Sequence, residues 1–101
     1  MSVLQALADP TRLAIARVLA DGREHVQADF PSDVGQSTLS HHMRRLRQAG
    51  IAWSRPDGTR CFVSLRPELE QRLPGLLQAV LSAADRETAL ATGLSPGGHS
   101  Q

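Results

Sequence analysis

The sequence of 101 residues predicts one mainly α-helical domain carrying a small β-hairpin. Three observations carry that expectation. Asp9-Pro10 opens a run through Leu13, Ile15, Ala16, Val18 and Leu19 that is too apolar for a surface helix. From Gln36 to Gly50 the apolar residues recur at helical spacing, with a polar face opposite. After Gly50 the period falls from 3.6 to 2, and two short runs flank an Asp57-Gly58 step.

Taken in order, Val3, Leu4 and Leu7 suit a short apolar helix that ends before Asp9. Asp9 can cap free backbone N–H groups, and Pro10 is preorganised for a first helical position. Gly22 stops the helix so opened. Between Arg23 and Gly35, Val26, Ala28 and Phe30 offer apolar anchors, but Pro31 forbids a long helix. At most a short helix is expected there, then a turn over Ser32–Gly35. Gly35 or Ser37 caps the next helix, and sequence leaves both open.

Within that helix, Leu39, Met43 and Leu46 share one stripe at about 100° per residue. Ser37, His41, Arg44 and Gln48 lie opposite, flanked by Ser40 and Arg45. Hydroxyls and an imidazole near the N-terminal end, then guanidinium groups, are side chains that hydrogen-bond base edges and phosphates. Taken alone, the helix suits an ordinary solvated surface helix equally well.

Ile51–Arg55 and Arg60–Leu65 read as strands, and glycine at Asp57-Gly58 accepts the positive φ of a tight hairpin turn. Arg55 and Arg60 flank its tip. Pro67 opens a further helix, with Glu68 and Glu70 near its positive end. Pro74-Gly75 breaks or kinks that helix, and Leu76, Leu77, Val80, Leu81 and Ala84 form a stripe on a last segment reaching about Ala91. The domain is expected to span residues 1–92, and the Gly-, Pro- and Ser-rich tail 93–101 to be disordered.

Net charge is only +1, so bulk charge predicts no partner, but its distribution does. Between Gln36 and Arg60 five arginines face one acid, Asp57. A locally basic stretch on a nearly neutral chain suits a specific binding face. All 11 basic residues are arginine, a bias best ascribed to a GC-rich genome. The lone cysteine, Cys61, excludes an intramolecular disulfide, and the N-terminus lacks a signal-peptide pattern. The uncharged apolar stretch Leu73–Ala84 is too short to span a membrane. A cytoplasmic protein with no membrane partner is expected.

Helices, a polar-faced helix, a hairpin with an arginine-flanked tip and a last helix, in the order α-α-α-α-β-β-α, make a winged helix-turn-helix. In that architecture the polar-faced helix enters the DNA major groove and the hairpin lies over the backbone or minor groove.

Two segments also carry a family resemblance. Leu7-Ala8-Asp9-Pro10-Thr11-Arg12-Leu13-Ala14-Ile15 resembles the N-terminal motif of ArsR-type winged-helix repressors. Gln36-Ser37-Thr38-Leu39-Ser40-His41-His42-Met43-Arg44-Arg45-Leu46-Arg47-Gln48-Ala49-Gly50-Ile51 is similar to the recognition helix of the same family. The resemblance covers about Leu4 to Leu65. It implies a homodimeric repressor on a pseudo-palindromic operator in double-stranded DNA, released by a small-molecule effector. It matches Gln36, Ser37, Ser40 and His41 to base-reading positions and Arg44 to a phosphate contact. Thr38 and Arg45 complete the expected recognition-helix set, and Arg55, Thr59 and Arg60 the wing set.

The resemblance also assigns the apolar stripe to a two-fold interface. Val3, Leu4 and Leu7 would meet Leu76, Leu77, Val80, Leu81 and Ala84 there; packing on the domain's own core is the plainer account. Two departures stand out. Pro31 truncates the helix that normally precedes the recognition helix. The family's metal sensors use cysteine clusters near that helix, or Asp/His with His/Glu pairs on the last one. Here no cysteine precedes Cys61 and Leu69–Leu90 has no histidine, so no metal or cofactor is expected.

Of the remaining candidates, His42 is expected to be partly buried or structurally hydrogen-bonded. Cys61, alternating with Val63 and Leu65, reads as a small buried hydrophobe. His25 and His99 lack a companion at metal-ligand spacing. Trp53 covers the sheet edge or, less simply, meets a ligand or partner. An alternative is a winged-helix module that binds protein through Trp53 and the last helix. No paired carboxylates, nucleophile-and-base set or phosphate-cradling loop suggests an enzyme.

Overall fold

A computed structural model describes residues 2–31, 33 and 35–91. Its elements are α1 (Val3–Leu7), α2 (Pro10–Leu19), a 3-10 turn (Gln27–Asp29), α3 (Gln36–Gln48), β1 (Ala52–Asp57), β2 (Arg60–Leu65), α4 (Pro67–Arg72) and α5 (Leu76–Ala91). This is the expected order with two refinements. The third helical element before the hairpin is only the three-residue 3-10 turn, since Pro31 follows it closely. The helical segment after the hairpin is two helices, divided at Leu73–Gly75. The tail from Gly93, with His99, lies outside the described residues, as do Ser32 and Val34 of the expected turn.

Local chemistry sets the boundaries. Asp9 Oδ2 accepts from the Arg12 backbone N–H at 3.0 Å, and Pro10 takes the first helical position of α2. Burial pushes the Asp9 carboxyl up, but the backbone N–H and the positive charge of Arg12 help to outweigh it and hold the group below its usual range. Gly35 caps α3 with no side-chain bond, which resolves the choice left open by sequence. At the other end Ile51 N–H reaches Leu46 O at 3.0 Å and Gly50 N–H reaches Arg47 O at 3.1 Å. That pair is a Schellman motif, and Gly50 takes the positive φ of 78° that it requires.

One core joins all the layers. Ile15, Leu19, Leu46 and Ile51 are fully buried, and Ala6, Leu7, Phe30, Leu39, Met43, Val63, Leu69, Leu77 and Leu81 surround them. No polar or charged residue among those described is buried. Arg12 clasps three helices at once. Its Nε donates to Ala6 O of α1 at 2.7 Å, and its Nη1 donates to His42 Nδ1 of α3 at 3.2 Å. His42 is thus structurally bonded and its side chain 13% exposed, as expected.

The hairpin pairs Ala52 with Leu65 through Asp57 with Arg60. Its loop is Gly58-Thr59, with Gly58 at φ 63°, the arrangement of a type II′ turn. Cys61 corrects the sequence reading: it is exposed, not buried. It shares a face with buried Val63, but it sits one pair from the hairpin end, beyond the reach of the core. Trp53 lies on the other face, where Nε1 donates to Ser64 Oγ at 2.7 Å and the Arg66 guanidinium stands 5.8 Å from the ring centre.

The hairpin is also moored from the side. His25 N–H donates to Val63 O at 2.7 Å and Val63 N–H donates to His25 O at 2.8 Å, a bridge that sequence did not foresee. The His25 ring bonds Asp21 through Nε2 at 2.9 Å and Asp29 through Nδ1 at 3.0 Å. Both acids stand four residues away, a Asp-x-x-x-His-x-x-x-Asp spacing visible in the sequence and overlooked there. The bond to Asp21 leads, with Asp29 aiding, in raising the imidazole above its ordinary value against the opposing pull of burial.

Only the imidazolium can donate from both ring nitrogens. With a raised folded-state pKa, the stabilisation is complete below the ordinary value of 6.5 and fades as pH rises through the folded value. His25→Gln is therefore expected to lower the melting temperature more at about pH 5.5 than at about pH 9. Thermal melts of both proteins at the two pH values check this, and an equal loss at both would contradict it.

Candidate nucleic-acid interface

The burial of Leu39, Met43 and Leu46 turns the opposite side of α3 to solvent. Gln36, Ser37, Thr38, Ser40, His41 and Arg44 are all exposed there, and Arg45 is half-buried at the flank. The hydroxyls and the imidazole lie in the first half of the helix. Gly35 offers no side-chain cap to the first backbone N–H groups of the helix. His41 and His42 meet edge to face, ring centres 5.7 Å apart, so one histidine faces outward while its neighbour is tied to Arg12.

The hairpin carries the second cluster. Thr59 and Arg60 are exposed at its end, and Arg60 has no ion pair among the described residues. Arg55, the other arginine expected at the wing, carries an ion pair. Its Nε and Nη2 donate to the two carboxylate oxygens of Glu24 at 2.7 and 2.9 Å, and its guanidinium lies 4.7 Å from the Phe62 ring centre. The hydrogen bond from Arg55 holds Glu24 below the usual carboxylate range and raises Arg55 in turn. The carboxylate offsets part of the charge that a phosphate would otherwise meet at Arg55. Among the described residues, Arg60 is the wing cation without an ion pair.

Between the 3-10 turn, α3 and the hairpin lies a cavity of about 530 Å³, walled by Phe30, Met43 and Val63 and rimmed by Ser40, Arg47 and Arg60. Cys61 opens onto it.

Comparison with known proteins adds lineage to this geometry. No family model matches the chain. An uncharacterised HTH-type transcriptional regulator of Bacillus subtilis is 35% identical over 82 residues, covering 77% of this chain and 82% of that protein. The arsenic resistance transcriptional regulator ArsR1 of Pseudomonas putida is 30% identical over 83 residues, 80% of this chain and 65% of its own length. A solution structure from Mycobacterium bovis superposes with a TM-score of 0.65 at 25% identity, over 98% of this chain and 84% of that one. It is described as a homodimeric winged helix-turn-helix DNA-binding domain of a possible ArsR-family transcriptional regulator. This chain belongs to the ArsR-type winged helix-turn-helix transcriptional regulators.

As an ArsR-type chain it shows no group of three His, Cys, Asp or Glu side chains set to hold a metal ion, among the described residues. The nearest arrangement, Asp21-His25-Asp29, does not converge: its two acids bind opposite ring nitrogens. No described helix is long and apolar enough to cross a membrane. Of the residues expected at a dimer interface, Leu7, Leu77 and Leu81 are 4, 6 and 5% exposed and are spent on the protomer's own core. Leu4 is 61% exposed, and Val3, Leu76, Val80 and Ala84 keep part of their surface.

The Glu24–Arg55 pair makes a testable distinction within the wing. Glu24→Gln frees a cation and is expected to tighten binding to all duplexes alike, steepening the salt slope by about one. Arg55→Ala alone is expected to change little. Fluorescence anisotropy over a salt series checks both; a large loss on Arg55→Ala would show that the pair opens on DNA.

Proposed function

We propose that this chain is a homodimeric cytoplasmic repressor that reads a pseudo-palindromic operator and leaves it when a small molecule binds. The carrying observation is α3 itself, whose exposed residues bear base-reading chemistry on the side opposite a fully packed stripe. Gln36, Ser37, Thr38, Ser40 and His41 read base edges in the major groove. Arg44 and Arg45 hold the flanking phosphates. Thr59 and Arg60 extend the backbone contact from the wing.

Dimerisation sets two such helices one DNA turn apart, about 34–36 Å, as half-site recognition requires. Leu4 on α1 and Leu90 on α5 are 61 and 71% exposed, apolar side chains that a second copy would cover. Val3, Leu76, Val80 and Ala84 supply the remainder of the interface. Leu7, Leu77 and Leu81, buried in the core of the protomer, hold α1 and α5 in place for it. No reaction is assigned to the chain; its proposed chemistry is recognition.

Selection of bound sites from random duplexes at low salt tests the reading, and failure to enrich any inverted repeat would refute it. His41→Ala is expected to relax preference at one base position in each half-site, by about 1–3 kcal/mol. Arg60→Ala is expected to weaken every duplex alike and to flatten the salt slope by about one. Anisotropy titrations with the selected operator and a scrambled duplex separate these two signatures.

A further inference from the structure

The cavity between α3 and the hairpin has the size of a ligand site and an unusual lining. At about 530 Å³ it falls within the range of roughly 300–1,000 Å³ typical of small-molecule pockets. Its apolar lining includes Val26, Ala28, Phe30, Leu39, Met43 and Val63, and its polar lining includes two arginines and, among the described residues, no acid. Arg47 donates only a long bond of 3.4 Å to Ser54 Oγ, and neither Arg47 nor Arg60 has an ion-pair partner among the described residues. A guanidinium beside an apolar wall gains most from a partner that is anionic at one end and apolar at the other. An inorganic phosphate or a DNA phosphate satisfies the arginines but leaves the apolar walls facing water.

We propose that this cavity is the effector site, and that its ligand is a small organic carboxylate with an apolar body. The proposal rests on the regulator reading above and supplies the ligand class and the place of action. The body packs against Phe30, Met43 and Val63, and the carboxylate accepts from Arg47 and Arg60. Ser40 of the recognition face and Arg60 of the wing lie on the same rim, so a bound carboxylate takes two groups from the DNA surface. Ligand and operator therefore oppose each other, and the linkage is reciprocal: each weakens the other by the same factor.

Calorimetric titration of the full chain with octanoate and 1-naphthoate, against 1-octanol and inorganic phosphate, tests the site. Either carboxylate is expected to bind once per protomer, with octanol and phosphate weaker by about tenfold or more. Ala28→Trp, which fills the cavity from the 3-10 turn, is expected to abolish this binding while operator affinity stays unchanged. Arg47→Gln gives an independent readout, about tenfold weaker carboxylate binding, should the tryptophan variant fail to fold. Neither carboxylate binding, octanol binding as tightly as octanoate, or a folded Ala28→Trp retaining full affinity would each overturn the proposal. Loss of the titration with operator binding intact removes the site alone. Carboxylate binding without any operator removes the regulator reading and leaves the site.

Discussion

Everything this molecule presents to the outside rests on how α3 is seated. Leu39, Met43 and Leu46 anchor it in the core, and Leu46 and Ile51 close its end with a Schellman turn whose two apolar residues are fully buried. Each such side chain contributes about 1.5–3 kcal/mol on burial. The stripe fixes the rotation of the helix about its axis, and rotation decides which side chains face solvent. Arg12 then fixes its position along the axis, since one guanidinium joins Ala6 of α1 and His42 of α3. Hydrophobic packing alone leaves a helix some freedom to slide; a directional hydrogen bond does not.

The regular parts of this design were open to reading from residues alone, because each has a local cause. Asp9-Pro10 opens α2, Gly50 closes α3, and Gly58 turns the hairpin, all through backbone preferences carried by single residues. The outward face of α3 was equally legible, since period 3.6 assigns faces without knowledge of the partner. Partnerships between distant segments were less so. Glu24 and Arg55 lie 31 residues apart, and only the folded chain shows that they neutralise each other. Cys61 fitted the alternation of its strand, yet alternation tells which face a residue occupies and not how far the core extends beneath it. The apolar residues of α1 and α5 show the same limit: the pattern is common to leucines that fill the domain and leucines that cover another copy.

Charge on the wing is correspondingly finer than a count of arginines implies. Arg55 and Arg60 flank the same tip in sequence, but one is held by a carboxylate and stacked near Phe62 while the other projects from the cavity rim. The first therefore stiffens the hairpin and the second faces outward. An ArsR-type chain that carries its arginines in both roles can keep a near-neutral total charge and still offer a cationic surface beside its recognition helix.

The mooring of Val63 to His25 has a consequence for the cost of recognition. Paired on one side with Ser54 and on the other with His25, this residue sits in what amounts to a three-stranded patch at the base of the hairpin. The two residues of the turn have no such neighbour. Conformational freedom is therefore concentrated in the last few residues of the projection, and only those must be ordered when it settles on a surface. The entropy lost is that of a fingertip rather than of the whole finger.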